Sequence, residues 1–288
     1  MNPDTVILDI DGVLVDVSNS YRQAIIDTIS YRYDAGELIT DRLIQRLKNA
    51  GGFNNDWLLT DAAALYVLTC EFYSMSGHEF TEAIAARGGG LSAAQSFLSE
   101  ELDEDAWRSI KHRWDQAKHR EIFQTFYLGT ELYREFESNT PPFEAPGYIY
   151  DEPILLDAET RDWLTDTVPV GICTGRPAAE ATIAMERIGL EIPSAHCFTM
   201  DNWDNGKPDP SALIILADRL DSNEIIFVGD TLDDVHTATN AMDADTDRQY
   251  YAIGVLTGGL SGSQGRQAFR SAGASDVINS VNHISTLL

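Results

Sequence analysis

The chain has 288 residues, 43% of them hydrophobic, which suits one large or two ordinary domains and excludes a disordered polymer. No apolar run approaches the ~20 residues a membrane-spanning helix needs, and Met1-Asn2-Pro3-Asp4 lacks the basic start of a secretory signal, so a soluble cytoplasmic protein is expected. Twenty Lys and Arg stand against 46 Asp and Glu, a formal net charge of −26, and like charge excludes bare nucleic acid as a partner.

In chain order, Thr5-Val6-Ile7-Leu8 is a short β-rich run that stops at an aspartate cluster. Residues 17–150 then change texture. Apolar spacings of three and four predict helices over 20–30, 40–49, 56–73, 92–101 and 105–136. Thr40 reads as a helix cap and Gly51-Gly52 as a stop. The pairs Pro141-Pro142 and Pro146-Gly147 mark the way back to a second β-rich region. Strands are expected at 168–173, 225–228 and 250–256, with weaker ones at 195–199 and 276–278. Helices at 178–188 and 210–220 alternate with them. Apolar strands alternating with helices predict an α/β fold, a three-layer parallel-sheet core. The expected organisation is a core of residues 1–16 and 151–288 with an all-α module, 17–150, inserted after the first strand.

Cys70, Cys173 and Cys197 are too few and too far apart for a disulfide framework or a zinc site. His112 and His119 lie seven residues apart on one predicted helix face and are expected to be solvated.

Every strong strand ends in glycine or polar residues, and ligands bind at the carboxyl ends of strands in such sheets. Asp9 and Asp11 sit at i and i+2 after the first strand, so both can face one pocket while Ile10 turns away. Gly12 allows a sharp bend and a close approach to a ligand. Two neighbouring carboxylates need a cation or proton to offset their repulsion, and magnesium suits an oxygen-rich site that handles phosphate. Asp230, Asp233 and Asp234 follow the strand at 225–228 and add further acidic ligands. Thr174-Gly175 offers a hydroxyl and free amides at a strand-to-helix turn, which suits a phosphate. Lys207, in a Gly- and Pro-rich turn, can offset the negative charge.

Together VILDIDGVLVD, ICTGRP, NGKPDPSAL and VGDTLDDV resemble the haloacid dehalogenase (HAD) superfamily, over residues 4–16 and about 153–288. The resemblance implies a Rossmann-like core and a Mg2+-dependent phosphatase. Asp9 would be the nucleophile, forming an aspartyl phosphate. Asp11 would be the general acid and then the general base. Thr174 would hold a phosphoryl oxygen, with Gly12 and Gly175 beside the phosphate, and Lys207 would stabilise the developing charge. Mg2+ would be held by Asp9, the Asp11 backbone carbonyl and Asp230, with Asp234 or Asp233 acting through water; Asp234 fits the family's spacing better. A helical insert between the first two motifs resembles a subfamily I, C1-type cap, although it is longer than the usual four-helix bundle.

Within the insert, Lys48, Asn54, Asn55 and Asp56 are candidates for recognising a small phosphorylated metabolite, with Trp57 packing beneath them. Arg87-Gly88-Gly89-Gly90 is a second flexible segment or hinge. Arg176, after the phosphate turn, would contact substrate or form a surface salt bridge. Two other readings stay open: a sugar-phosphate mutase similar to β-phosphoglucomutase, and a non-catalytic metabolite-binding protein on the same fold. The acid excess with only four lysines (Lys48, Lys111, Lys118 and Lys207) resembles the proteome of a salt-accumulating haloarchaeon.

Overall fold

Strand β1, Thr5–Leu8, is buried at all four positions, as a central parallel strand covered on both faces must be. The computed structural model describes residues 3–53, 55–203 and 205–288. The chain divides into two compact units, Met1–Val17 with Pro153–Leu288, and Ser18–Glu152.

Among the described residues, seven α-helices build the unit Ser18–Glu152: α1 Tyr21–Tyr33, α2 Asp41–Asn49, α3 Asp56–Cys70, α4 Gly77–Ala85, α5 Gly90–Glu101, α6 Glu104–Arg113 and α7 Gln116–Glu137. Helix α3 is its spine. Every residue from Leu59 to Thr69 is buried, which requires neighbours all round. The Thr40 hydroxyl caps α2 by accepting from the Leu43 amide at 3.2 Å.

Two expectations need correction here. The pattern over 105–136 is two helices. Trp114 and Asp115 leave helical geometry, and the Asp115 carboxylate starts α7 by accepting from the Lys118 amide at 3.1 Å. Gly129, at φ 74° and ψ 174°, then kinks α7. Helix α4 lies where no helix was expected, although Ser76 and Glu79 cap it reciprocally, a signal readable in the sequence. Within the glycine run 88–90, Gly88 is exposed with open space beside it, while Gly89 and Gly90 pack against the Gly51-Gly52 turn. Gly90 donates to the Gly51 carbonyl at 2.8 Å, and a Cβ on Gly89 would lie 2.5 Å from that same oxygen. Two glycine turns therefore interlock backbone to backbone, which only residues without side chains allow.

The α/β unit continues with α8 Ala158–Thr167, β2 Val170–Cys173, α9 Ala178–Ile188, β3 Cys197–Phe198, α10 Ser211–Arg219, β4 Glu224–Gly229, α11 Leu232–Ala244, β5 Gln249–Val255, α12 Gly262–Ser271 and β6 Asp276–Ile278. The six strands form one sheet in the order β3-β2-β1-β4-β5-β6, and every pairing is parallel. Side chains alternate between its faces. Val6, Leu8, Ile226, Val228 and Ile253 join Leu164 of α8 and Ala181, Ala184 and Ile188 of α9 in one core. Ile7, Ile225, Phe227, Tyr250 and Ala252 pack on the other face against α10, α11 and Phe269 of α12. This is an α/β fold of three layers with an all-α unit inserted after its first strand. Strand order reverses at β1, whose neighbours are β2 and β4, and the tips of these three strands carry the site. No helix among the described residues is long and apolar enough to cross a membrane.

Candidate active site

The register of the sheet assembles the polar residues. Leu8 lies beside Ile172 and Val228, so Asp9, Thr174 and Asp230 all emerge at one edge. The Asp9 amide still donates to the Val228 carbonyl at 3.0 Å, so the ladder itself holds its backbone. Its buried carboxylate accepts from the Ile10 amide at 2.8 Å through Oδ1 and meets Lys207 Nζ at 2.7 Å through Oδ2.

Lys207 bridges two carboxylates, since its Nζ also lies 2.6 Å from Asp234 Oδ1. Asp234 reaches this position because it starts α11. Its Oδ2 accepts from the Thr231 amide at 2.9 Å, while the Thr231 hydroxyl accepts from the Asp234 amide at 3.2 Å. The side chain folds back over Gly229, where a Cβ would lie 2.2 Å from that of Asp234.

Asp230 lies between two further glycines. A Cβ on Gly12 would come within 2.4 Å of Asp230 Oδ2, and one on Gly258 within 1.8 Å. Gly12 also sits at φ +68°, where a side chain is strained. Its amide donates to the Val15 carbonyl at 2.8 Å, and what it supplies is room for Asp230. Gly258 escaped the sequence reading as a site residue, although a glycine pair after a strand tip was the signal.

One oxygen from each of Asp9, Asp230 and Asp234 lies within 4.8 Å of the others. Three carboxylates face a single ammonium. Burial, with Asp234 and Asp9 adding to it, pushes the Asp230 carboxyl well above its ordinary range. Burial likewise pushes Asp9 up to about 7, against the opposing pull of Lys207. Burial alone would lower the Lys207 ammonium, yet Asp234 and Asp9 hold it above its usual range. An all-oxygen donor set with surplus negative charge fits a hard divalent cation.

Thr174 is buried at the tip of β2. Its amide donates to the Phe198 carbonyl at 2.9 Å, and its hydroxyl accepts from the Arg176 amide at 3.3 Å, leaving the O–H free to donate. Gly175 is exposed, with open space on its Cβ side. Asp11 stands apart from the three-carboxylate group. Its Oδ1 accepts from Arg176 Nε at 2.6 Å, and the Arg176 side chain is fully buried. The expected surface salt bridge of Arg176 is therefore a buried one, made with the second aspartate of the first motif.

The candidates in the helical unit are absorbed by local structure. Asn55 caps α3, its Oδ1 accepting from the Trp57 amide at 2.9 Å. Lys48 Nζ lies 3.1 Å from Asp56 Oδ1, tying the end of α2 to the start of α3. Trp57 lies beneath the Arg120 guanidinium, 4.0 Å from its ring centre. Asn54 lies outside the described residues. His119, expected in solvent, is buried. It hydrogen-bonds Asp61 Oδ1 at 2.7 Å and the Tyr33 hydroxyl at 2.6 Å, while His112 is exposed.

The sequence profile of the haloacid dehalogenase-like hydrolases matches residues 3–241, and the chain belongs to that family. Its similarity to curated proteins is local. It is 52% identical over 54 residues to an imidazoleglycerol-phosphate dehydratase of Phytophthora nicotianae, covering 19% of this chain and 11% of that one. It is 36% identical over 73 residues to an N-acetylmuramic acid 6-phosphate phosphatase of Pseudomonas putida, covering 25% of this chain and 33% of that one. The chain thus spans about a third or less of the length of the curated relatives it matches. Among solved structures, a phosphatase from Thermococcus thioreducens has the same fold, with TM-score 0.63 and 24% identity over 87% of this chain and 92% of that one.

Proposed function

We propose that this chain is a Mg2+-dependent phosphatase of HAD subfamily I that hydrolyses a small phosphorylated metabolite through an aspartyl phosphate, with residues 18–152 as its C1-type cap. The observation that carries the reading is Lys207 bridging Asp9 and Asp234 while Asp230 lies within the same 4.8 Å group. An ammonium and a carboxylate cluster at the switch point of a parallel sheet suit phosphoryl transfer, which is mostly alignment and charge stabilisation. Relatives named as phosphatases support the same class.

Asp9, Asp230 and Asp234, with the Asp11 backbone carbonyl, would hold the ion. Bound Mg2+ would relieve the repulsion between a carboxylate nucleophile and a dianionic ester. Asp9 attacks phosphorus as the ester P–O bond breaks, and Asp11 passes a proton to the leaving oxygen. Asp11 then takes a proton from water as that water attacks phosphorus, freeing Asp9 and inorganic phosphate. Thr174, through its hydroxyl, and Gly175, through its amide, hold phosphoryl oxygens, and Lys207 neutralises charge on Asp9 and the transferring group. The acidic surface belongs to a cytoplasmic protein adapted to high salt, with no nucleic-acid or membrane partner.

Hydrolysis of 4-nitrophenyl phosphate and a panel of phosphorylated metabolites, in molar salt with and without Mg2+, tests this. Asp9→Asn should lower kcat by about 10⁴-fold or more. Equal rates for wild type and variant would end the nucleophile assignment, and net isomerisation of a sugar phosphate would select a mutase instead.

A further inference from the structure

Arg176 is fully buried, and its Nε donates to Asp11 Oδ1 at 2.6 Å. An arginine side chain is seldom fully buried, and its burial is costly unless the charge is paired. Asp11 is the pair's open end, with its side chain 30% exposed. The backbone on both sides is pinned. Asp11 bridges to Val15, the Gly12 amide donates to the Val15 carbonyl, and the Arg176 amide donates to the Thr174 hydroxyl. Both partners therefore rise from rigid turns at the tips of adjacent strands, β1 and β2.

A carboxylate on a short side chain rotates through a broad, roughly two-fold torsion, so its oxygens exchange places unless something holds one of them. The guanidinium is a planar, pre-organised donor and does not lose its proton in proteins. It cannot replace Asp11 as acid or base, but it can orient it. Building on the phosphatase reading above, we propose that Arg176 is a positioning residue. It holds Asp11 Oδ1 and so reserves Oδ2 for the leaving-group oxygen and then for the attacking water. In the first step Oδ2–H gives its proton to the departing alkoxide as the ester P–O bond breaks and the Asp9–phosphorus bond forms. In the second, Oδ2 takes a proton from water as oxygen bonds to phosphorus and the Asp9–phosphorus bond breaks.

Two esters of nearly equal shape test this, because they differ in how much they need that first proton. 4-Nitrophenolate leaves well unprotonated, whereas phenolate is a much poorer leaving group. Arg176→Met should lower kcat for phenyl phosphate by about 30-fold and for 4-nitrophenyl phosphate by about 3-fold or less, within the range general acid catalysis supplies. Arg176→Lys keeps a charge without the planar fork and should fall between; it also serves if the Met variant does not fold. Added to Asp11→Asn, Arg176→Met should cost about 2-fold or less, since the group it orients is already gone. Equal losses on both esters, full additivity with Asp11→Asn, or a rise in KM at constant kcat would overturn the inference. None of these touches the phosphatase reading, which stands on wild-type turnover and its loss in Asp9→Asn. A wild type that turned over neither ester nor any metabolite of the panel would end both.

Discussion

The two units bury polar groups on opposite terms. In the helical unit the buried charges are matched: Asp61 is met by His119 at 2.7 Å and by Gln116 at 2.8 Å, and Glu152 by Ser20 at 2.7 Å and Tyr127 at 3.2 Å. At the strand tips of the α/β unit, Asp9, Asp230 and Asp234 cluster around one ammonium, Lys207, which pairs with Asp9 and Asp234, and burial lifts the Asp9 and Asp230 carboxyls out of their ordinary range. Neutralised burial gives a unit its packing. An excess of one sign, held by glycines that leave no room for a Cβ, is an electrostatic debt left for a ligand.

Three measurements can break or sharpen this contrast. The largest effect is expected where matching is complete. Asp61→Ala should destabilise the protein by about 3 kcal/mol in a denaturant titration, because His119 and Gln116 lose a buried partner, while turnover per folded molecule is unchanged. Lost turnover without lost stability would move Asp61 from packing to chemistry. Next, Gly258→Ala pushes a methyl into the space of the Asp230 carboxylate. The Mg2+ concentration for half-maximal activity should rise about 10- to 100-fold, and an unchanged requirement would separate Asp230 from the ion.

The smallest effect follows from Asp9, whose carboxyl is raised from 3.8 to about 7 by burial. The unfolded chain releases this proton first, so the contribution of Asp9 to stability is present in acid and is lost as pH rises toward 7. In a chelator, the Tm of Asp9→Asn should therefore gain on wild type by a few degrees between about pH 4 and pH 7, and level off above. A gap independent of pH would mean that the buried carboxylate is already matched.

Much of the α/β unit was legible in the chain. Its strong strands are short apolar runs closed by glycine or aspartate, and the residues after them are the ones the sheet brings together. The helical unit was less so. Apolar periodicity ran through the break at Trp114 and Asp115 because both flanking helices bury the same kind of face, and α4 went unread despite its Ser76–Glu79 cap. His119 was misjudged because periodicity reports a face and not what covers it. The pairing of Arg176 with Asp11 was invisible for another reason, since the two residues are 165 positions apart and nothing local links them.

The sequence by itself determined the alternation of strand and helix, the insertion after the first strand and the chemical types at each strand tip, because these follow from local propensity and from patterns a few residues long. Only the tertiary structure decided that Lys207 spans two carboxylates, that Gly12 and Gly258 make room for a third, and that a buried guanidinium holds Asp11. Those are distances between residues far apart in the chain, and they come from sheet register and from the close packing of turns.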